Sequence, residues 1–276
     1  MSKLRIIIIA AAIPALFLAE RSSGFERTAE QIFGGENIHR LNFARTLQAG
    51  GYYAGLGLEY QTFTSDVKRT QLRLNSAFGL YHNLDFSLNI PYAQLAVANE
   101  KLTGQRDASV SVKYRLPRFI SPSVMTAMQF SGVLPVGVQD NNPKLPDYSL
   151  ESVGVGARLL LQANAGKFTL LSNLGLFNTE NFDYLESFLG AGGEMDLLEE
   201  GLLSLQGEFC RTVNYEKNCS WSDVYVGLKS ELPYYNLGVR LGMDFNAGYE
   251  NRAGIVFTAF MMERKPEPPQ YTGLLD

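Results

Sequence analysis

Charged side chains recur on one phase of a long series of alternating segments. They are Glu59, Arg73, Asp85, Lys113, Arg115, Arg158, Glu194, Glu208, Lys229, Arg240, Asp244 and Arg252, with Asp196 and Glu231 in the same phase. The other phase of each segment is apolar, so these charges share a face turned away from an oily one. Paired carboxylates can do acid–base work, and a ring of one sign can select ions. Here both signs occur in nearly equal number. That balance predicts either ion pairs that brace a shared interior or solvated charges lining a polar lumen. No spacing singles out an acid–base pair.

Two cysteines and two histidines complete the reactive inventory. Cys210 and Cys219 flank a polar bend from Asn214 to Lys217. If residues summing to 429 face each other across it, Glu208 is set against Trp221 and the cysteines lie directly opposite. Cross-strand neighbours lie about 4.5–5.5 Å apart, within reach of a sulfur–sulfur bond. The expectation is a Cys210–Cys219 disulfide in an oxidising compartment. His39 lies before the patterned region and His82 sits in a tight turn, so neither is placed as the base of a hydrolase constellation. No His/Cys cluster at ligand spacing and no phosphate-loop or dinucleotide motif is present, so no enzyme activity, metal or cofactor is expected.

The elements that must position these residues are strands. From Asp107 to Leu116 the chain alternates strictly: Ala108, Val110, Val112, Tyr114 and Leu116 against Asp107, Ser109, Ser111, Lys113 and Arg115. A two-residue period is that of a strand with one oily and one wet face. The same pattern recurs near 52–61, 71–80, 84–92, more weakly through Val124, Met128 and Phe130, and near 151–162, 167–179, 184–196, 201–213, 221–231, 235–247 and 252–262. Pro91 lacks a backbone donor, so full pairing should lapse there. Connections near 97–106, 135–149 and 214–220 are long and alternate with tight turns such as His82-Asn83. About twelve strands with that loop asymmetry predict an all-β fold, an antiparallel transmembrane β-barrel with lipid against its oily face. Tyr60, Tyr92, Tyr114, Trp221, Tyr234 and Tyr235 near strand ends suit interfacial girdles. Inward-phase glycines, among them Gly79, Gly238 and Gly242, leave room for a plug or ligand, or relieve wall curvature.

Composition agrees with that reading. Hydrophobic residues make up 46% of the chain, yet mean hydropathy is only −0.06, because in a barrel only alternate residues meet lipid. Lys3 and Arg5 precede an apolar run from Ile6 to Leu18, too short to cross a bilayer comfortably and suited to an export signal over residues 1–24, cut after Ala19 or Gly24. Cutting after Ala19 leaves 22 basic against 28 acidic residues and a net charge of about −6, a poor surface for nucleic acid. Residues 25–50 are weakly patterned and suit a periplasmic lead-in, a short plug or an extra strand. Residues 51–262 form the expected barrel. The charged, proline-rich stretch 263–276 cannot continue a strand and is expected in the periplasm.

Several segments together resemble a known family, the outer-membrane transporters grouped under the MetA pathway of phenol degradation, relatives of the fatty-acid channel barrels. The matching pieces are Thr46-Leu47 leading to a glycine-rich strand from Gly50 to Tyr60, Ile90-Pro91-Tyr92, Asp107 to Leu116 with its Lys113-Tyr114-Arg115-Leu116 end, and Leu134-Pro135-Val136-Gly137. Gln105-Arg106 departs from the glycine usual beside the aspartate. The resemblance implies a cell outer-membrane channel for passive uptake of small, often hydrophobic or aromatic, solutes. Its partners would be membrane lipid, the solute and, during biogenesis, the barrel assembly machinery, for which Arg252-x-Gly254-x-x-Phe257 resembles the closing-strand signal. The alternative reading is a non-transporting barrel that anchors the envelope or binds a partner through its loops.

Overall fold

Alternation alone dictates a wall, and closure of that wall decides which face is inside. In the computed structural model the described residues are 37–62, 67–97, 100–117, 123–138, 153–179, 184–198, 202–216, 218–232, 235–247 and 252–263. The expected signal peptide, most of the Pro135–Ser149 connection, and the tail beyond Glu263 lie outside them. The strands are β1 Tyr52–Thr62, β2 Val67–Tyr81, β3 Leu84–Val97, β4 Glu100–Gln105, β5 Ala108–Arg115, β6 Val124–Leu134 and β7 Gly154–Ala165. They continue as β8 Phe168–Thr179, β9 Tyr184–Asp196, β10 Leu203–Asn214, β11 Cys219–Leu232, β12 Leu237–Ala247 and β13 Arg252–Glu263.

Every neighbouring pair is antiparallel, and β1 pairs with β13 along its whole length, so the sheet closes on itself. β4 and β5 occupy one position in the wall. β3 pairs with β5 from Leu84 to Asn89 and with β4 from Tyr92 to Val97. The wall therefore has twelve strands. The break falls at Pro91, whose missing donor cannot continue the ladder; its carbonyl instead accepts from Arg106 N at 2.9 Å. The expected long connection over 97–106 is thus corrected: β3 and β4 extend the wall as a hairpin.

Burial is inverted relative to a water-soluble protein. Leu56, Leu58, Leu72, Leu74, Phe78, Phe130, Leu174, Leu176, Val226, Leu241, Met243 and Ile255 point outward and are exposed, whereas Gln71, Gln129, Gln162, Asn173, Gln206 and Asp244 are buried. Soluble monomers rarely expose an apolar patch beyond roughly a few hundred Å². A continuous apolar belt around a polar interior is stable only with hydrocarbon outside.

Two register expectations fail. In the β10–β11 hairpin the paired residues sum to 433, so Glu208 faces Tyr225, Cys210 faces Asp223 and Cys219 faces Asn214. Cys210 and Cys219 are offset by four strand positions, about 13 Å at roughly 3.3 Å per residue, beyond the about 7 Å a disulfide tolerates. Cys210 is a free, buried thiol. Trp221 is also reassigned, since it is buried on the interior face and not in a lipid-facing girdle. The bend is displaced because Tyr215 and Glu216 form the tip with Asn218 at a positive φ of 48°, lengthening β10 to Asn214.

Candidate functional site

The interior is occupied by the chain's own segment ahead of β1. Ile38, Leu41, Phe43, Ala44 and Leu47 are all buried, although they precede the first strand. Asn37 and Asn42 form an isolated antiparallel bridge, and Ile38 N donates to Leu41 O at 2.9 Å, making a tight turn at the segment's far end. Its other end sits where β1 begins. Gly50 N donates to Gly79 O, and Gly79 N donates to Gly51 O. Gly79 is required there, because a Cβ would lie 1.9 Å from Gln48 O.

A backbone without a sheet or helix of its own must find partners elsewhere once it leaves water. Here the wall supplies them. The Glu208 carboxylate accepts from three successive amides, His39 N at 3.3 Å, Arg40 N at 2.9 Å and Leu41 N at 3.1 Å. Asn173 accepts from Asn42 N at 2.7 Å and donates to Asn42 O at 3.1 Å. Gln162 accepts from Arg45 N, and Asp85 accepts from Leu47 N at 2.9 Å. Carbonyls of the segment are met by cations: Arg158 donates to Arg40 O at 3.0 Å, Lys113 to Phe43 O and to Arg45 O, and Arg240 to Ile38 O. The segment reaches back with Arg40, which pairs with Asp223 and Asp244. At the base Thr46 donates to His82 O, and His82 Nδ1 meets Gln48 Oε1 at 3.2 Å.

The charged residues expected on the interior face fall into three groups. Asp85, Lys113, Arg158, Glu208, Arg240 and Asp244 are buried and hold the segment. Glu59 with Arg73 at 3.0 Å, Lys113 with Asp85 at 3.2 Å, and Lys229 with Glu194 form ion pairs between wall strands, and Lys229 also pairs with Glu231 along its own strand. Arg115 is half-buried at the rim, donating to His82 O at 3.4 Å. The Arg252 side chain lies outside the described residues, though its backbone pairs with Asn246. Sequence reasoning did not identify the donors and acceptors Asn42, Gln129, Gln162, Asn173 and Asp223. Their polar, inward phase was the only signal, and any solvated lumen would share it.

Aromatic packing completes the interior. His39 stacks on Tyr225, ring centroids 5.0 Å apart, and the Arg158 guanidinium lies 4.0 Å over Phe188. Tyr225 lies flat against its own wall, where a Cβ at Gly242 would sit 2.4 Å from its ring. Hydrogen bonds and ion pairs to the segment come from β3, β5, β6, β7, β8, β10, β11 and β12. On the side of β1, β2 and β13 Leu47 packs with Tyr53, Ala77 and Phe260, and a cavity of about 30 Å³ remains, bordered by His39, Tyr53, Gly57, Glu59, Arg73, Asn75, Arg240 and Thr258.

Comparison with solved structures agrees with this architecture. The chain is similar to the COG4313 outer membrane channel from Pseudomonas putida F1, with a TM-score of 0.62 and 11% identity over 80% of this chain and 98% of that one. Two weaker likenesses are the KdgM porin, at TM-score 0.49 and 9% identity over 74% and 97%, and the CymD monoaromatic hydrocarbon channel, at 0.44 and 8% over 80% and 90%. No protein-family model and no curated protein matches the sequence. At such identity the likeness defines the fold, a closed antiparallel barrel of the outer-membrane type.

Proposed function

We propose that this chain is an outer-membrane channel through which small solutes diffuse, with the segment Asn37–Gln48 acting as a plug that narrows the lumen. The carrying observation is the inverted barrel: lipid-compatible residues outside, and inside a polar lumen crossed by one short, hydrogen-bonded segment. The fold it shares with the Pseudomonas channel supports that reading. No step calls for nucleotide or an ion gradient, and the interior carboxylates are committed to the plug or to cations. The plug also favours a second reading, a barrel that stays closed and serves the envelope structurally.

Planar-bilayer recording of the refolded protein separates the two. Small, reproducible openings are expected, and deletion of Asn37–Gln48 is expected to raise unitary conductance by about tenfold, since twelve strands without a plug enclose a water-filled lumen. A silent wild type with no solute flux in liposomes would support the structural barrel.

A further inference from the structure

The cavity beside β1, β2 and β13 holds an electrostatic imbalance. Arg240 is 5% exposed, and its only described partners are the Ile38 carbonyl and the face of Phe260, 5.4 Å from the guanidinium carbon. No carboxylate among the described residues comes within salt-bridge distance of it, and its Nε has no hydrogen-bond partner. Three other interior cations on the wall are matched by carboxylates: Arg73 by Glu59, Lys113 by Asp85, Lys229 by Glu194. A buried, unmatched guanidinium costs several kcal/mol unless an anion answers it.

One more nitrogen on the same cavity is unsatisfied: Arg73 Nε is buried without a hydrogen-bond partner, whereas His39 Nε2 lies 3.9 Å from the Asp244 carboxylate and the cavity's own carboxylate, Glu59, is held by Arg73. Asn75 and Thr258 add polar groups, while Ile38, Tyr53 and Val256 form an apolar flank. Gly57 keeps the space open. The cavity, at about 30 Å³, accepts a group of a few heavy atoms.

We propose that this cavity binds the carboxylate of a small organic anion, with Arg240 as its charge partner and Arg73 as a further donor. The planar fork of a guanidinium matches the two oxygens of a carboxylate. The apolar flank takes a short hydrocarbon part, which favours a small monocarboxylate over an inorganic anion. The inference deepens the channel reading and rests on it for the route by which solute arrives.

Labelled acetate titrated against the refolded full chain in micelles, with acetamide as the neutral isostere, tests the proposal by NMR. Acetate is expected to bind saturably and acetamide not. Arg240→Gln should weaken acetate by about tenfold or more, and Arg240→Lys should fall between wild type and Arg240→Gln, because the charge stays while the two-pronged fork is lost. Gly57→Val, which fills the cavity and touches no charge, should weaken acetate similarly and decides the matter if Arg240→Gln does not fold. Equal weak signals from acetate and acetamide, or unchanged binding in the folded Arg240→Gln or Gly57→Val proteins, would overturn the site. Acetate binding with no flux in liposomes leaves the site standing and removes the channel. Neutral-solute flux without acetate binding does the reverse.

Discussion

The two sides of the barrel interior are built on opposite principles. From β5 round to β12, wall side chains are spent on the plug's backbone, as with Glu208 on three amides and Asn173 on both groups of Asn42. Along β1, β2 and β13 the wall is lined by Gly55, Gly57 and Thr258, and next to it Arg240 and Arg73 keep unsatisfied nitrogens. One side fixes the plug through hydrogen bonds and ion pairs, and the other leaves a small cavity beside it. The difference teaches that a lumen crossed by a plug need not be blocked uniformly.

The comparison can be broken hardest at Glu208. Glu208→Gln replaces a charged acceptor of three amides with a neutral one, and roughly 2–3 kcal/mol of plug anchoring should be lost. Frequent, larger openings are expected in bilayer recordings. On the open side, Glu59→Gln should leave open probability near wild type, because Glu59 contacts no plug amide among the bonds described. If both variants gate alike, the two sides are not distinct.

Packing sharpens the same contrast. Gly242→Val drives a side chain into the Tyr225 ring and should cost about 1–3 kcal/mol, seen as a lower temperature for loss of the compact band in heat-modifiable electrophoresis. A Cβ at Gly57 would meet Thr258 Oγ1 at 3.4 Å and Arg73 Cβ and Phe257 O at 3.8 Å, so for Gly57→Val that temperature should stay within a few degrees, a cost of about 1 kcal/mol or less. The smallest effect concerns Cys210, buried on the side that holds the plug, next to Leu41 and Gly190. It should resist maleimide in the folded barrel and react after unfolding without any reductant. A requirement for reductant would restore the disulfide that the hairpin register disfavours.

Much of the wall was legible because a strand's period is local. Val110, Val112 and Tyr114 against Ser109, Ser111 and Lys113 state their faces without reference to any partner, and the strands fall where that alternation places them. Register was less legible. A pairing sum of 429 sets the cysteines opposite each other, whereas the observed sum of 433 carries β10 on to Asn214 before the tip and separates Cys210 from Cys219. The interior site was legible only as a polarity. Asp85 and Lys113 could be placed inward from phase, but nothing near them in sequence says that Leu47 N and Phe43 O are what they hold.

By itself the sequence determined the strand pattern, the twelvefold wall and the sign of each face, because side-chain alternation and turn chemistry act over a few residues. The tertiary structure alone decided that residues 37–48 turn into the lumen, which wall groups satisfy them and which cation stays unmatched. Those outcomes depend on closure, which brings Glu208 to His39 and Asn173 to Asn42 across more than a hundred residues of chain. They also depend on the requirement that every amide removed from water find a partner, wherever the fold puts one.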